Sequence, residues 1–146
     1  MKPLLIFFFT ICIVAVATSQ KSKNGQFFTT KEGAIRGYDP VSYFTENQPV
    51  KGVKTINLNW NGSIWYFSSE SNKKMFEANP EKYAPQYGGY CAYGWAKGYA
   101  VKTEPDAWAI VGGRLYLNYD KGVQKEWDED RLGFIQKADS NFTLNK

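Results

Sequence analysis

The chain has 146 residues, 43% hydrophobic and 17% aromatic with only 22% charged and a net charge of +4. That composition fits one folded domain with a real core and excludes a disordered acidic chain, a coiled coil and a collagen-like repeat. There is no histidine, which removes Cys-His and Ser-His catalysis, histidine zinc sites and a histidine pH switch together. Basic and acidic residues alternate, as in Lys73, Lys74, Glu77, Glu81 and Lys82, the pattern of a solvated surface rather than the clustered stripe that binds nucleic acid.

At the start of the chain, Lys2 precedes an apolar run from Leu4 to Ala17 that exits through Ala15-Val16-Ala17. These are the parts of a secretory signal, expected over residues 1–19. The run is shorter than the roughly 18 to 20 residues a spanning helix needs, so no stable membrane span is expected once the signal is removed. The mature protein is then periplasmic or secreted. Cys12 leaves with the signal, so Cys91 is the single mature cysteine and no intrachain disulfide can form. Residues 20–36 read as a polar leader carrying Phe27 and Phe28, and residues 37–146 as the domain.

The domain opens on Asp39-Pro40, a helix or turn start in which the carboxylate accepts backbone N–H groups and proline fits the first helical position. Lys54 to Trp60 alternates polar and apolar, Asn61-Gly62 is a preferred two-residue turn, and Ser63 to Phe67 returns as a strand. The register predicts Trp60 opposite Ser63, Leu58 opposite Trp65 and Ile56 opposite Phe67, with Asn57, Asn59, Ile64 and Tyr66 on the other face. Ser69 can cap a helix running to Ala78, with Met75, Phe76 and Ala78 as apolar contacts, and Asn79-Pro80 interrupts it before a short turn of helix through Tyr83. A second hairpin turns at Gly112-Gly113, pairing Trp108 with Leu117 and Ile110 with Leu115. Two tail helices follow, Lys121 to Trp127 behind a cap at Asp120, and Asp130 to about Phe142 with Leu132, Phe134, Ile135 and Ala138 as its apolar positions. The expected class is α+β, a small antiparallel sheet of two β-hairpins covered by short helices.

Four strings recur in the order seen in YHS-domain proteins: Gly37-Tyr-Asp-Pro-Val-Ser-Tyr-Phe44, Trp65-Tyr-Phe-Ser-Ser69, Phe76-x-Ala-x-Pro80-x-x-Tyr83-x-Pro85, and Tyr87-Gly-Gly-Tyr-Cys-Ala92. The chain resembles the small exported branch of that family, over about Tyr38 to Asn118. The resemblance implies a YHS/TRASH-like fold and, from related domains, metal handling through several cysteines. This chain has Tyr66, Phe67 and Ser68 where the family has Tyr-His-Ser, and it lacks the additional cysteines.

Cys91 is the one mature nucleophile of unusual reactivity. A thiol opening a helix after Gly88-Gly89 at a cleft edge would form its thiolate below the usual value of about 8.5; an unpaired cysteine packed as a small hydrophobe would not. Zinc wants four ligands that one cysteine without histidine does not supply. Copper(I) accepts soft ligands in low number, so Cys91 with Met75 is the metal pairing the composition permits. Tyr43, Tyr66, Tyr87 and Tyr90 are the ring candidates for lining a ligand pocket, or equally for filling a core. Ser68 and Ser69 read as caps, and Asp128 and Asp130 as helix-start carboxylates. Three functions stay open: an exported binding module taking a soft metal ion or a small ligand near Cys91, a structural or interaction domain with inert Cys91, and a thiol-dependent redox enzyme, which lacks a base and a resolving cysteine.

Overall fold

The structure, a computed structural model, describes residues 27–144, so the expected signal segment lies outside the described residues. Its strands form three separate antiparallel ladders. Thr29–Thr30 (β1) pairs with Gly33–Ala34 (β2), Val53–Trp60 (β3) with Ser63–Phe67 (β4), and Trp108–Val111 (β5) with Arg114–Leu117 (β6). Among the described residues six α-helices accompany them: Ser42–Thr45 (α1), Glu70–Ala78 (α2), Pro80–Tyr83 (α3), Ala92–Ala96 (α4), Lys121–Asp128 (α5) and Arg131–Leu144 (α6). The class is α+β.

Both hairpins turn where expected. Asn61 and Gly62 take φ of 48° and 75°, and Gly112 and Gly113 take 58° and 74°, the left-handed pair that lets the turn follow the twist of its strands. Trp60 faces Ser63 and Leu58 faces Trp65; Trp108 faces Leu117 and Ile110 faces Leu115. One expected pair fails. Phe67 lies opposite Val53 instead of Ile56, because β3 bulges between Val53 and Asn57. The Asn57 amide donates to Lys54 O at 2.7 Å within that bulge, a side-chain-to-backbone bond competing with the ladder.

Ser69 caps α2 by accepting from Asn72 N at 3.1 Å, and α2 sets Phe76 against Trp60, Trp65 and Phe67 with ring centroids 5.5, 5.1 and 5.3 Å away. Trp65, Phe67 and Phe76 are fully buried, and with Val41, Tyr43, Tyr83, Leu115 and Leu117 they make a first core. A second core joins Tyr87, Ala92, Ala96, Tyr116, Trp127 and Ala138, with Phe134, Ile135 and Phe142 packed on it. The β5–β6 hairpin divides the two: Leu115 and Leu117 point into the first and Tyr116 into the second, as strand alternation requires. Two expected helix contacts are corrected. Ala78 is exposed, and Leu132 is 72% exposed, off the face of α6 that carries Phe134, Ile135 and Ala138.

The segment 27–36, part of the expected leader, is packed into the domain. Phe27 lies 5.3 and 5.0 Å from Trp60 and Trp65, and Ala34 and Ile35 are buried. At Gly33, where φ is +95°, a Cβ would sit 2.8 Å from Ile64 O and 2.9 Å from the Tyr66 ring. Bare backbone therefore covers the outer face of β4, and Tyr66 is only half exposed there. Ile35 and Arg36 then take φ of 48° and 50°; left-handed backbone at a non-glycine residue costs about 1–3 kcal/mol, and a β-branched residue is an outlier there.

Candidate functional site

The approach to Cys91 is a left-handed turn. Tyr87, Gly88 and Gly89 have φ of 56°, 64° and 78°, and Tyr90 N closes the turn on Tyr87 O at 3.2 Å. Cys91 follows as the N-cap of α4: its N–H donates to Val101 O at 3.0 Å and its Sγ accepts from Gly94 N at 3.3 Å. The thiol is 1% exposed. It donates at 3.6 Å to Oδ1 of Asn118, the residue after β6, which is buried and anchored by its own N–H to Ala107 O at 2.8 Å. Tyr93 N donates to the same Oδ1 at 3.1 Å, which fixes the amide's orientation and makes Nδ2 its other end. Nδ2 has no partner. A buried donor left unpaired costs about 1–3 kcal/mol, so an acceptor arriving at Nδ2 relieves a penalty already present.

Burial pushes the Cys91 thiol up from its ordinary value, with the backbone N–H groups of Gly94, Tyr119 and Tyr93 pulling the other way and Asp120 adding to the rise. This corrects the expectation of an easily formed thiolate at a cleft edge: the helix start is present, but desolvation outweighs it. The raised value has a consequence for stability. The unfolded chain releases this proton first, so stability falls as pH rises from the unfolded value of about 8.5 toward the folded one. Burial raises Tyr43, Tyr87 and Tyr116 in the same direction, extending the loss above about pH 10. Urea melts from pH 7 upward should show this decline, and Cys91→Ala should flatten its first part; a wild type as stable at pH 10 as at pH 7 contradicts it.

A second polar cluster lies in the first core. Asp39 is fully buried. Its Oδ1 accepts from Val41 N at 2.8 Å, the turn role expected of it. Oδ2 accepts from Ser68 N at 2.8 Å, Ser68 Oγ at 2.7 Å and Asn72 Nδ2 at 2.7 Å. The carboxylate thus ties the turn before α1 to the end of β4 and the first turn of α2.

Among known families, the YHS domain model matches residues 41–87. The chain is a YHS domain-containing protein. The matched stretch of this YHS protein runs from α1 to the left-handed turn at Tyr87, takes in the Tyr66-Phe67-Ser68 triplet, and stops short of Cys91 and Asn118. No curated protein and no solved structure matches the chain.

Within the YHS protein the ring candidates serve separate contacts. Tyr43 donates to Pro105 O at 2.8 Å and packs edge-on to Trp108 at 5.2 Å. Tyr87 donates to Asp139 Oδ1 at 2.8 Å, holding α6. Tyr66 lies beneath Gly33, and Tyr90 packs tilted against Phe28 with ring centroids 5.5 Å apart. Met75 packs on the first core, whereas Cys91 is held by Gly94 and Asn118, so the two sulfurs occupy different neighbourhoods. Among the described residues no three of Cys, Asp and Glu converge to hold a metal ion. Asp130 caps α6 through Gly133 N at 3.0 Å and Asp128 accepts from Arg131 at 2.8 Å. Asn118 is the site residue that the sequence reading missed. Its role depends on a partner 27 positions away, and no local pattern announces it.

Proposed function

We propose that this YHS protein is an exported, non-catalytic binding module that receives a small ligand at the Cys91–Asn118 corner. The ligand presents an oxygen acceptor to Asn118 Nδ2. The observation that carries this reading is the buried, unpartnered amide N–H on the side chain that faces the thiol. A donor N–H cannot ligate a cation, and copper(I) bound at Cys91 would need a second soft ligand while Met75 packs on the other core. Redox or nucleophilic catalysis by Cys91 is less well supported, since its thiol is buried and raised and no second cysteine lies among the described residues. Export is supported by Lys2, the Leu4–Ala17 run and its small-residue exit. The mature chain should then begin near Thr18 to Gln20.

Native mass spectrometry of protein taken from the extracytoplasmic fraction of its own cells tests the reading. A mass excess should be retained by wild type, released on denaturation and absent from Asn118→Leu. Copper(I) supplied alone should bind Cys91→Ala as well as wild type. Copper(I) retained one-to-one by wild type and lost from Cys91→Ala would instead establish the metal reading, and no retained mass at all would leave the structural domain with an inert thiol. An intact Met1 on the secreted form would overturn the export.

A further inference from the structure

Helix α4 ends in a motif that fixes the loop behind it. Gly98 has φ of 94°, its N–H donates to Trp95 O at 3.0 Å, and the N–H of Tyr99 reaches back to Gly94 O at 3.1 Å, the paired bonds of a glycine helix stop. In that motif the residue in the place of Tyr99 frequently packs its side chain on the last turn, at the place of Gly94 or the residue before it. Gly94 offers no side chain, and Val101 Cγ2 stands 2.9 Å from where its Cβ would be. The Tyr93 ring is set against Phe134 at 5.1 Å. Tyr99 is left 55% exposed, with exposed Lys97 and Lys102 on either side of it in the chain.

The surface around this loop gathers cations without ion pairs. Lys97 Nζ lies 5.1 and 5.9 Å from the Tyr93 and Phe134 ring centroids, and Lys137 Nζ lies 5.6 Å from the Phe134 centroid, so two ammonium groups share one ring. Lys102 Nζ stands 5.3 Å from the ring of Tyr119, itself 38% exposed. Among the described residues none of these three lysines forms a salt bridge. No acid occurs from Tyr93 to Lys102, and the carboxylates beyond are bonded elsewhere: Glu104 to Arg36, Asp120 to Val123 N and Asp139 to the Tyr87 hydroxyl. We propose that the loop 97–102 docks the protein on an anionic lipid surface, with Tyr99 entering the interface and Lys97, Lys102 and Lys137 set toward the headgroups. A tyrosine suits that boundary because its ring is apolar and its hydroxyl stays wet, and lysine ammonium groups on long stems reach headgroup phosphates. An acidic protein would also attract the lysines, but a protein interface packs around a wider apolar centre than one projecting ring provides. Three lysines and one ring give peripheral, reversible attachment. The inference stands apart from the proposed ligand corner.

Sedimentation of the mature protein with lipid vesicles tests it. Vesicles of phosphatidylglycerol mixed into phosphatidylcholine should retain the protein at low salt and release it at about 0.5 M salt, where screening shortens to a few ångströms; vesicles of phosphatidylcholine alone should not retain it. Lys97→Gln, Lys102→Gln and Lys137→Gln should each lower the partition coefficient about fivefold, the factor of ~1 kcal/mol per basic group at such a surface. Lys54→Gln and Lys74→Gln, at exposed lysines on β3 and α2, should leave it unchanged. Tyr99→Ala should weaken binding without altering its salt dependence. No retention by the anionic vesicles overturns the proposal, and so does equal retention by the neutral ones. An equal loss in Lys54→Gln also overturns it, by assigning the binding to net charge alone, as does a Tyr99→Ala protein bound as tightly as wild type. Capture by soluble polyaspartate without retention by any vesicle would make the partner an acidic protein and overturn the lipid surface.

Discussion

Asp39→Ala should cost about 3–5 kcal/mol, because it leaves the N–H groups of Val41 and Ser68 without their acceptor, at about 1–3 kcal/mol each, and takes a buried side chain out of the turn before α1. Four donors now converge on this carboxylate: Val41 N, Ser68 N, Ser68 Oγ and Asn72 Nδ2. Ser68 Oγ can turn toward another acceptor and Asn72 Nδ2 already lies 3.3 Å from Ser68 Oγ, so those two recover part of the loss. The N–H groups of Val41 and Ser68 are backbone and cannot turn. Asp39→Asn keeps the shape and one oxygen but sets an amide N–H against donors, and about 2 kcal/mol is expected. Urea midpoints should fall in that order with unchanged slope. An Asp39→Ala protein within 1 kcal/mol of wild type, to the precision of such melts, would mean that the network is dispensable and that the turn before α1 is held by packing of Val41 and Tyr43 instead.

The parts of the fold that could be read from sequence are those with local causes. Asn61-Gly62 and Gly112-Gly113 carry turn chemistry within two residues, and both hairpins form with the registers adjacent to those turns. Ser69 and Asp120 carry capping chemistry within three residues, and α2 and α5 start behind them. Farther from the turn the reading failed. The Ile56–Phe67 pair gave way to the bulge because nothing in an alternating pattern signals that Asn57 will bond to Lys54 O. Segment 27–36 escaped notice for a related reason: its polar composition suggests solvent, but it covers β4 with the bare backbone of Gly33 and leaves the apolar contacts to Phe27 and Ile35.

For the candidate site the division is the same. Cys91 could be placed at a helix start from Gly88-Gly89 alone, and it caps α4. Its exposure and thiol acidity could not be placed, because both depend on Val101, Asn118 and Tyr119, all outside the helix it caps, closing around it. Asp39 shows how a correct local reading can be incomplete: the bond to Val41 N was legible, but the three bonds that make it a hub come from residues 29 and 33 positions away.

The other large effect is expected at Phe76. Truncation to alanine removes a fully buried ring from among Trp60, Trp65 and Phe67 and should cost about 3–5 kcal/mol, transfer and cavity together. Leu132→Ala, at a side chain 72% exposed, should stay within about 0.5 kcal/mol. The form of the Phe76→Ala transition also reports on how the two cores are coupled. Leu115 and Leu117 lie in the first core and Tyr116 in the second, so strand β6 cannot leave one without disturbing the other. A single transition with wild-type slope, coincident by tryptophan fluorescence and far-UV circular dichroism, is therefore expected. Two separated transitions would show that the second core, with α4, α5 and α6, persists after the first has melted, and that the shared strand does not transmit the loss.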